Sequence, residues 1–497
     1  MHTPHLLAGV DLGSNSFRLE IGQIEAGHIQ RVEYLKETVR QGNGLDADRN
    51  LSQDAMQRGW ECLARFAERI AGFHKNQVRA VATQTLREAR NREVFIRKGS
   101  EILGFPIDVI SGREEARLIY CGVANLLPQS NERRLVVDIG GRSTEFILGQ
   151  ALASTATESY RLGSVAWSMK YFPDGKFTDA SFERAEIAAC AILDEAETAF
   201  SKTNWDCAYG SSGTVGAVAD VLAAAGYAPH VVTAEGLEWL KTELVRYGSA
   251  EKLTLAGIKE DRRAVIGGGV SVLRAVFKLL NIREMHVAQG ALRQGIVYDL
   301  LDRAAEVTDV RTSTVVHLRE KFNAEAAQAQ RVSKVALHFF KQLVNAAELE
   351  NPERLARKLN WAAQLHEIGS RISHSDYHKH GAYILDNADA PGFALPELHR
   401  LSQLVLGHRG KLRKLDPALD DSAFNSQLIA LRLAVIVCHA RREPAVSALA
   451  LHVARNIFVL RVPRAWTLQY PQSAHLLHEE VQAWQKSRCQ LQIEITD

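Results

Sequence analysis

Two short stretches of this 497-residue chain each place a lone aspartate at the end of an apolar run, just before glycines and hydroxyl residues. In one, Leu135, Val136 and Val137 deliver Asp138 to Gly140 and Gly141. Ser143, Thr144 and Glu145 follow, and Phe146, Ile147 and Leu148 carry the chain away. In the other, Leu6 to Val10 deliver Asp11 to Gly13, Asn15 and Ser16 before Leu19 to Ile21. Apolar runs flanking a glycine turn predict β-hairpins. Gly140 and Gly141 are expected to take φ > 0 and turn backbone N–H groups toward an anion, with the hydroxyls as further donors. The tips are thus suited to a phosphate with a divalent cation beside it. Asp11, Gly13, Ser16 and Gly22 register with Asp138, Gly140, Ser143 and Gly149, which implies two related half-domains whose loops grip one phosphate group from both sides.

Other elements must bring reacting groups to these tips. A strand at Val78 to Ala82 leads into Thr83-Gln84-Thr85-Leu86-Arg87, where Arg87 is a candidate anion contact at a helix start. A strand at Ile107 to Ile110 leads into Ser111-Gly112-Arg113-Glu114-Glu115. Ser111 and Glu114 stand in capping-box spacing, which gives Glu114 a structural task. Glu115 has none, and a carboxylate beside a strand end in an α/β unit is placed like a catalytic base. Strand Cys207 to Tyr209 enters Gly210-Ser211-Ser212-Gly213-Thr214 before a helix, a third phosphate-friendly turn. Gly267-Gly268-Gly269, inside a helical pattern, reads as close packing.

With 46% hydrophobic and 24% charged residues the chain has an ordinary globular composition, and its length calls for three or four domains. A net charge of +2 gives no mark of a nucleic-acid binder. The six cysteines are scattered without CxxC or metal-ligand spacing, which fits reduced core thiols. The N-terminal apolar stretch lacks a basic flank and is interrupted by Asp11, and no run is long enough to span a bilayer, so a cytoplasmic protein is expected.

In order along the chain, DLGSNSF from Asp11, TQTLREARN from Thr83, SGREEARLIYCGV from Ser111, DIGGRSTE from Asp138, YGSSGT from Tyr209 and QGALRQG from Gln289 resemble the exopolyphosphatase and guanosine pentaphosphate phosphatase family. That family belongs to the sugar kinase, Hsp70 and actin superfamily. The resemblance implies an α/β fold with two actin-like (ribonuclease H-like) domains, 1–126 and 127–308. It implies hydrolysis of the terminal phosphoanhydride of inorganic polyphosphate, with Glu115 activating water and with Mg²⁺ or Mn²⁺ at Asp138, Glu145 and Asp11. Gly13, Asn15, Ser16, Gly140, Gly141, Ser143, Gly213 and Thr214 would hold the transferred phosphate, helped by Arg87. Where the family has a third glycine this chain has Arg142, which either takes a left-handed conformation or offers a cation to the phosphate chain. Guanosine pentaphosphate is the alternative substrate. A kinase or a nucleotide-gated interaction protein of the same fold is less favoured. A homodimer is also implied.

From about Asp309 the pattern is helical. His366-Glu367 with His374, His378, Lys379, His380 and His408-Arg409 resembles the HD-like domain of longer family members, taken as 309–445. Glu367 stands where a metal site wants aspartate, and the late aspartate is missing near Leu431 to His439, so an HD-like scaffold without its metal is expected. His378, Lys379, His380, His408, Arg409, Lys411, Arg413 and Lys414 would line a polyanion groove. Alternating apolar residues after Val446 predict a small α+β domain, 446–497.

Overall fold

A computed structural model describes residues 6–25, 28–128, 130–303, 309–344, 349, 351–415, 418–454, 457–485, 487 and 489–497. The chain divides into two compact units, Met1–Thr308 and Asp309–Asp497.

The first unit holds two mixed sheets. Strands β1 (Leu6–Leu12), β2 (Phe17–Glu25), β3 (His28–Glu37), β4 (Val78–Ala82) and β5 (Ile107–Val109) lie in the order β3-β2-β1-β4-β5. Strands β6 (Arg133–Ile139), β7 (Thr144–Gln150), β8 (Ala153–Tyr160), β9 (Cys207–Ser211), β10 (Val231–Thr233) and β11 (Glu284–Val287) lie in the order β10-β11-β9-β6-β7-β8. The duplication read from the sequence is present in the backbone. Each half starts with a three-stranded antiparallel meander and adds its next strand parallel to the first, β4 on β1 and β9 on β6. Each meander also shifts register at the corresponding glycine, at Ile21/Gly22 and at Leu148/Gly149. Both tips are four residues long, so Asp11 faces Arg18 across its hairpin as Asp138 faces Glu145 across the other.

β1 and β4 are apolar at nearly every position and buried, as strands covered on both faces must be. One cover of the sheet is the helix Gln53–Arg69, which packs on β2, opened by Ser52, whose Oγ accepts the Ala55 N–H, and burying Trp60, Leu63 and Phe66. Another is the helix Leu292–Arg303. It follows the second sheet in sequence yet lies on the first, with Val297 and Leu300 against Leu7 of β1. The first half-domain is therefore discontinuous, and the expected division at 126/127 separates the two sheets but not this helix. Helix Gly112–Leu126 crosses it at Gly122 and Gly295, where a Cβ on either glycine would collide with the opposing backbone. Gly268 is likewise a packing glycine, since a Cβ there would come within 2.5 Å of Ser164 O and Ser168 N.

Charge locks this crossing. Asp299 pairs with Arg79 of β4, with Arg117 and with Arg303, while Glu114 accepts from Arg79 (3.3 Å) and Arg117 (2.8 Å). Ser111 Oγ caps the Glu114 amide at 3.1 Å as expected. The Glu114 carboxylate is taken up by this network of arginines, a task the motif did not disclose.

In the second unit, helices Val310–Lys321, Ala326–Leu343, Pro352–Leu365, Tyr377–Asn387, Leu395–Gly407 and Ser422–Val437 precede a three-stranded sheet. That sheet is built from β12 (Ala450–Ala454), β13 (Ile457–Pro463) and β14 (Gln490–Thr496), in that order, with helix Pro471–Trp484 between the last two. The division expected at 445/446 is a change of secondary structure inside one continuous core, in which Leu428 and Leu431 are gathered with Phe458, Leu460 and Trp484. Arg432 and Glu480, both buried, bind across it with Nη2–Oε2 at 2.7 Å. Among the described residues no helix is long and apolar enough to cross a membrane.

Candidate active site

The two hairpin tips face each other. A Cβ on Gly141 would lie 3.4 Å from Ser14 Cβ and 3.8 Å from Asn15 Cβ. Between them opens a cavity of about 310 Å³ lined by Asp11, Gly13, Asn15, Ser16, Glu115, Asp138, Gly140, Gly141, Ser143, Gly213 and Thr214. Eleven expected site residues from four separate sequence segments therefore share one space. Glu145, Arg87 and Arg142 do not line it, and their positions are informative.

Glu145 is buried beside Asp138 and accepts from Ser159 Oγ at 2.8 Å. Burial, then the charges of Glu115 and Asp138, push its carboxyl well above the usual range. Arg87 donates through Nη1 and Nη2 to Glu115 Oε2, both at 3.2 Å, and to Ile110 O at 2.7 Å. It holds the candidate base where the sequence reading had it touching phosphate. Arg142 donates to Gly42 O (3.2 Å) and to Glu88 (3.1 Å), bracing the second tip against the first half of the chain. It is not among the described non-glycine residues with positive φ, so the left-handed alternative is excluded.

The glycines work differently from the expectation. Neither Gly140 nor Gly141 has positive φ. The Gly140 amide donates to Ser143 O at 2.9 Å and so closes the turn rather than facing an anion. What requires glycine is crowding, since a Cβ at Gly13 would lie 2.9 Å from Ser16 O and one at Gly140 3.1 Å from Ser143 O. The strained residue is Ser212, at φ 83, whose Oγ donates to Ile139 O while the Thr214 hydroxyl donates to the same oxygen. These bonds pin the third turn to the end of β6, and strain at such a turn belongs with preorganisation of a site.

Four acids sit together here, and burial is the first cause of each shift. Asp138 is pushed up to about 6 and Glu115 to about 7, the latter also by the charges of Asp11 and Asp138 against the opposing pull of Arg87. Asp11 is raised despite Arg18 at 3.0 Å. A carboxylate near 7 within a cavity is suited to general-base work at neutral pH. Asp11 Oδ1 and Ser16 Oγ are buried without any hydrogen-bond partner. An orphan acceptor and an orphan donor in one polar cavity call for a cation and an anion respectively. Among the described residues no group of three or more His, Cys, Asp or Glu side chains is arranged to hold a metal. A pair of aspartates with an unsatisfied oxygen suits Mg²⁺ all the same, because Mg²⁺ keeps its waters and uses few carboxylates plus substrate phosphates.

The sequence reading missed Arg18, Tyr34, Lys36, Ser212, Arg262, Gln289 and Arg293, all on the cavity wall. Arg18 was available from equal tip lengths, which fix equal hairpin register. Arg293 stood inside the QGALRQG motif. Arg262 gave no local signal.

In the second unit, His378 and His408 are buried, and their rings are 6.3 Å apart. Burial, then Lys414 and Arg409, depress His378 to about 4, and burial and His366 hold His408 well below its usual range. At neutral pH these histidines are uncharged. The positive charge around them comes from Lys379, half-exposed and paired with Asp376 at 2.8 Å, from exposed Arg409 over the Tyr377 ring, and from Lys414, lowered to about 8 mainly by burial. His380 is half-buried on the same helix as His378.

A model of the Ppx/GppA phosphatase family matches residues 20–304, and one of domain III of the Ppx/GppA phosphatases matches residues 310–484. The structure of a PPX-GPPA enzyme from Aquifex aeolicus matches at 25% identity and TM-score 0.50, covering 59% of this chain and 98% of that one. That of an exopolyphosphatase from Cytophaga hutchinsonii ATCC 33406 matches at 23% identity and TM-score 0.54, covering 60% and 98%; at that identity it speaks for the fold alone.

Proposed function

The chain belongs to the Ppx/GppA phosphatase family, and from that premise we propose that it is an exopolyphosphatase, a phosphoanhydride hydrolase that removes the terminal phosphoryl group of linear inorganic polyphosphate. The observation that carries this reading is Glu115, raised to about 7 and opening on a cavity whose tips leave one buried acceptor and one buried donor unsatisfied. Glu115 takes a proton from water as the water oxygen bonds to the terminal phosphorus. The bridging P–O bond breaks, the shortened chain leaves with the electron pair, and orthophosphate is formed. Ser16, Ser143, Asn15 and the backbone of Gly13, Gly141 and Gly213 surround the equatorial oxygens, and Arg87 keeps Glu115 in line. Asp11 and Asp138, with Glu145 beside them, would hold Mg²⁺ or Mn²⁺, which supplies neutralisation of phosphate charge.

Inorganic polyphosphate is preferred over guanosine pentaphosphate because Tyr34 is the sole aromatic side chain on the described cavity wall, and its ring already carries the Arg293 guanidinium at 4.8 Å. The purified protein, given polyphosphate and Mg²⁺ without nucleotide, should release orthophosphate, and chelation should stop it. Release from guanosine pentaphosphate alone would establish the other substrate. Homodimer formation is part of the same proposal.

The second unit is proposed as the HD-like scaffold that tracks long chains through Lys379, Arg409, Lys411, Arg413 and Lys414, with His380 as a polar contact and His378 and His408 as neutral ones. The Aquifex and Cytophaga proteins match over nearly their whole length to about three-fifths of this chain, which supports a first unit able to fold alone. A chain ending at Thr308 should then still trim short polyphosphate but become distributive on long chains, with a flatter salt dependence. Gel-resolved time courses check this: the full chain should leave uncut long polymer beside orthophosphate, the truncation a ladder. A folded truncation that leaves no ladder would reduce the basic loops to surface.

A further inference from the structure

Arg142 reaches away from its own tip. It stands on the turn between β6 and β7, yet its guanidinium donates to Gly42 O at 3.2 Å and to Glu88 Oε2 at 3.1 Å, both on segments that belong with the first sheet. Gly42 follows β3, and its amide donates to Ser14 O of the first tip at 2.8 Å. Glu88 ends the short helix Gln84–Glu88, which follows β4. One side chain of the second tip therefore touches both the loop behind the first tip and the helix that carries Arg87. Arg142 Nε is buried without a partner, so the side chain is placed for these far contacts at a local cost.

From Glu88 the bonds continue inward. Its other oxygen, Oε1, accepts from Gln84 Nε2 at 2.5 Å, and Gln84 Oε1 accepts from Arg87 Nε at 3.0 Å and from Arg87 Nη2. Spacings of four and three residues put these side chains on one face of the helix. Gln84 is 4% exposed, and its amide has one workable orientation. Arg87 offers only donors and the Glu88 carboxylate only acceptors, so the amide nitrogen must meet Glu88 and the oxygen must meet Arg87. Arg87 is then held along one edge by Gln84 and at Nη1 by Ile110 O at 2.7 Å, which leaves its planar fork to present Nη1 and Nη2 to Glu115 in a set direction. Arg142, Glu88, Gln84 and Arg87 do not line the cavity, so contact with substrate does not account for a line of bonds that ends on the base.

We propose that Arg142, Glu88 and Gln84 are positioning residues for the hydrolytic base: Arg142 fixes Glu88, Glu88 fixes the Gln84 amide, and Gln84 fixes the Arg87 guanidinium on Glu115. The bond that seats the second tip on the first half-domain thereby also aims the base at the phosphate the two tips hold. This rests on the reading of Glu115 as the base of a phosphoanhydride hydrolase and adds the residues that keep it in line from outside the cavity. Where the family carries glycine, this chain carries the outer end of that line.

Steady-state hydrolysis of polyphosphate by the full-length protein with Mg²⁺, measured on the alkaline plateau of the pH profile, tests this. Glu88→Gln replaces one acceptor oxygen by a donor, so that in the same geometry a donor faces either Arg142 or Gln84. It should lower kcat about tenfold and leave KM within about twofold, because Glu88 acts on the direction of the base and does not touch substrate. Gln84→Glu alone sets two carboxylates against each other and should also lower kcat. The exchanged pair, Gln84→Glu with Glu88→Gln, gives every donor an acceptor again and should return kcat to within about threefold of wild type. In an Arg87→Gln background, Glu88→Gln should add less than about twofold, since its effect passes through Arg87. If Glu88→Gln does not fold, Arg142→Gln takes its place in the same cycle, and its loss of kcat should likewise vanish without Arg87. Unchanged kcat in Glu88→Gln, a loss confined to KM, an equal loss with and without Arg87, or an exchanged pair no better than either single variant would each refute the positioning role while the hydrolase reading stands. A wild-type protein that releases no orthophosphate from polyphosphate refutes both.

Discussion

Glu115→Gln should lower turnover by about 10²–10⁴ while leaving fold and substrate binding in place, since that is the usual worth of a positioned general base. The glutamine keeps the size of the side chain and an oxygen for Arg87, so a loss measured in kcat with KM little changed speaks to proton transfer. The pH profile carries the same point. A base raised to about 7 must be ionised to act, so kcat/KM of the wild-type protein should rise with pH up to about 7 and level off above it. Below about 6 the protonation of Asp138 adds a second loss, and the limb should steepen. The two groups interact, so the profile reports values for the cluster. Arg87→Gln removes a charge that favours the ionised base, and it should move the limb to higher pH. A flat profile through neutrality, or full activity in Glu115→Gln, would remove Glu115 from the reaction.

The legible part of this site was its periodic part. Apolar runs broken by Asp-x-Gly mark both hairpins, and equal tip lengths make the duplication visible in the residues alone. The shape of the capping box separated Glu114 from Glu115, because one glutamate had a local partner in the chain and the other had none. What stayed hidden was long-range. The partners of Glu114 are Arg79 and Arg117 within its own half-domain and, through them, Asp299 from far along the chain. No window of sequence contains that network. The helix carrying Asp299 returns to the first sheet by a crossover that depends on Gly122 and Gly295 meeting, and helical periodicity records only that one face is apolar. The histidines of the second unit show the converse error. His378 and His408 belong to a basic cluster in sequence and are buried neutral groups in the fold, because charge is decided by desolvation and composition does not report it.

Asp299→Asn should be the most destabilising single change in the first unit among the ion pairs described. Its carboxylate is 2% exposed and pairs with Arg79, Arg117 and Arg303, and Arg79 is itself buried. Burial alone would raise an aspartate, but these three arginines together hold Asp299 far below the usual carboxylate range. Removing one partner from a buried charge network leaves the others unpaired in a poorly solvating interior, a loss of about 3–5 kcal/mol. The sign with pH follows from linkage. A carboxylate depressed in the folded state contributes stability that is fully present above its unfolded value of about 3.9 and is lost as pH falls below it. Wild-type protein should therefore lose this contribution in acid, and Asp299→Asn should lack it already at pH 7, so the gap between their melting temperatures should narrow as pH falls toward 3. Asp54→Asn, which breaks the exposed pair with Arg58, is the comparison and should move the melting temperature little. The network also sets the helix that carries Glu115 against β4, so Asp299→Asn should lower turnover even at temperatures where it remains folded. A melting temperature no lower than that of Asp54→Asn would mean that apolar packing at Gly122 and Gly295 holds the helices by itself.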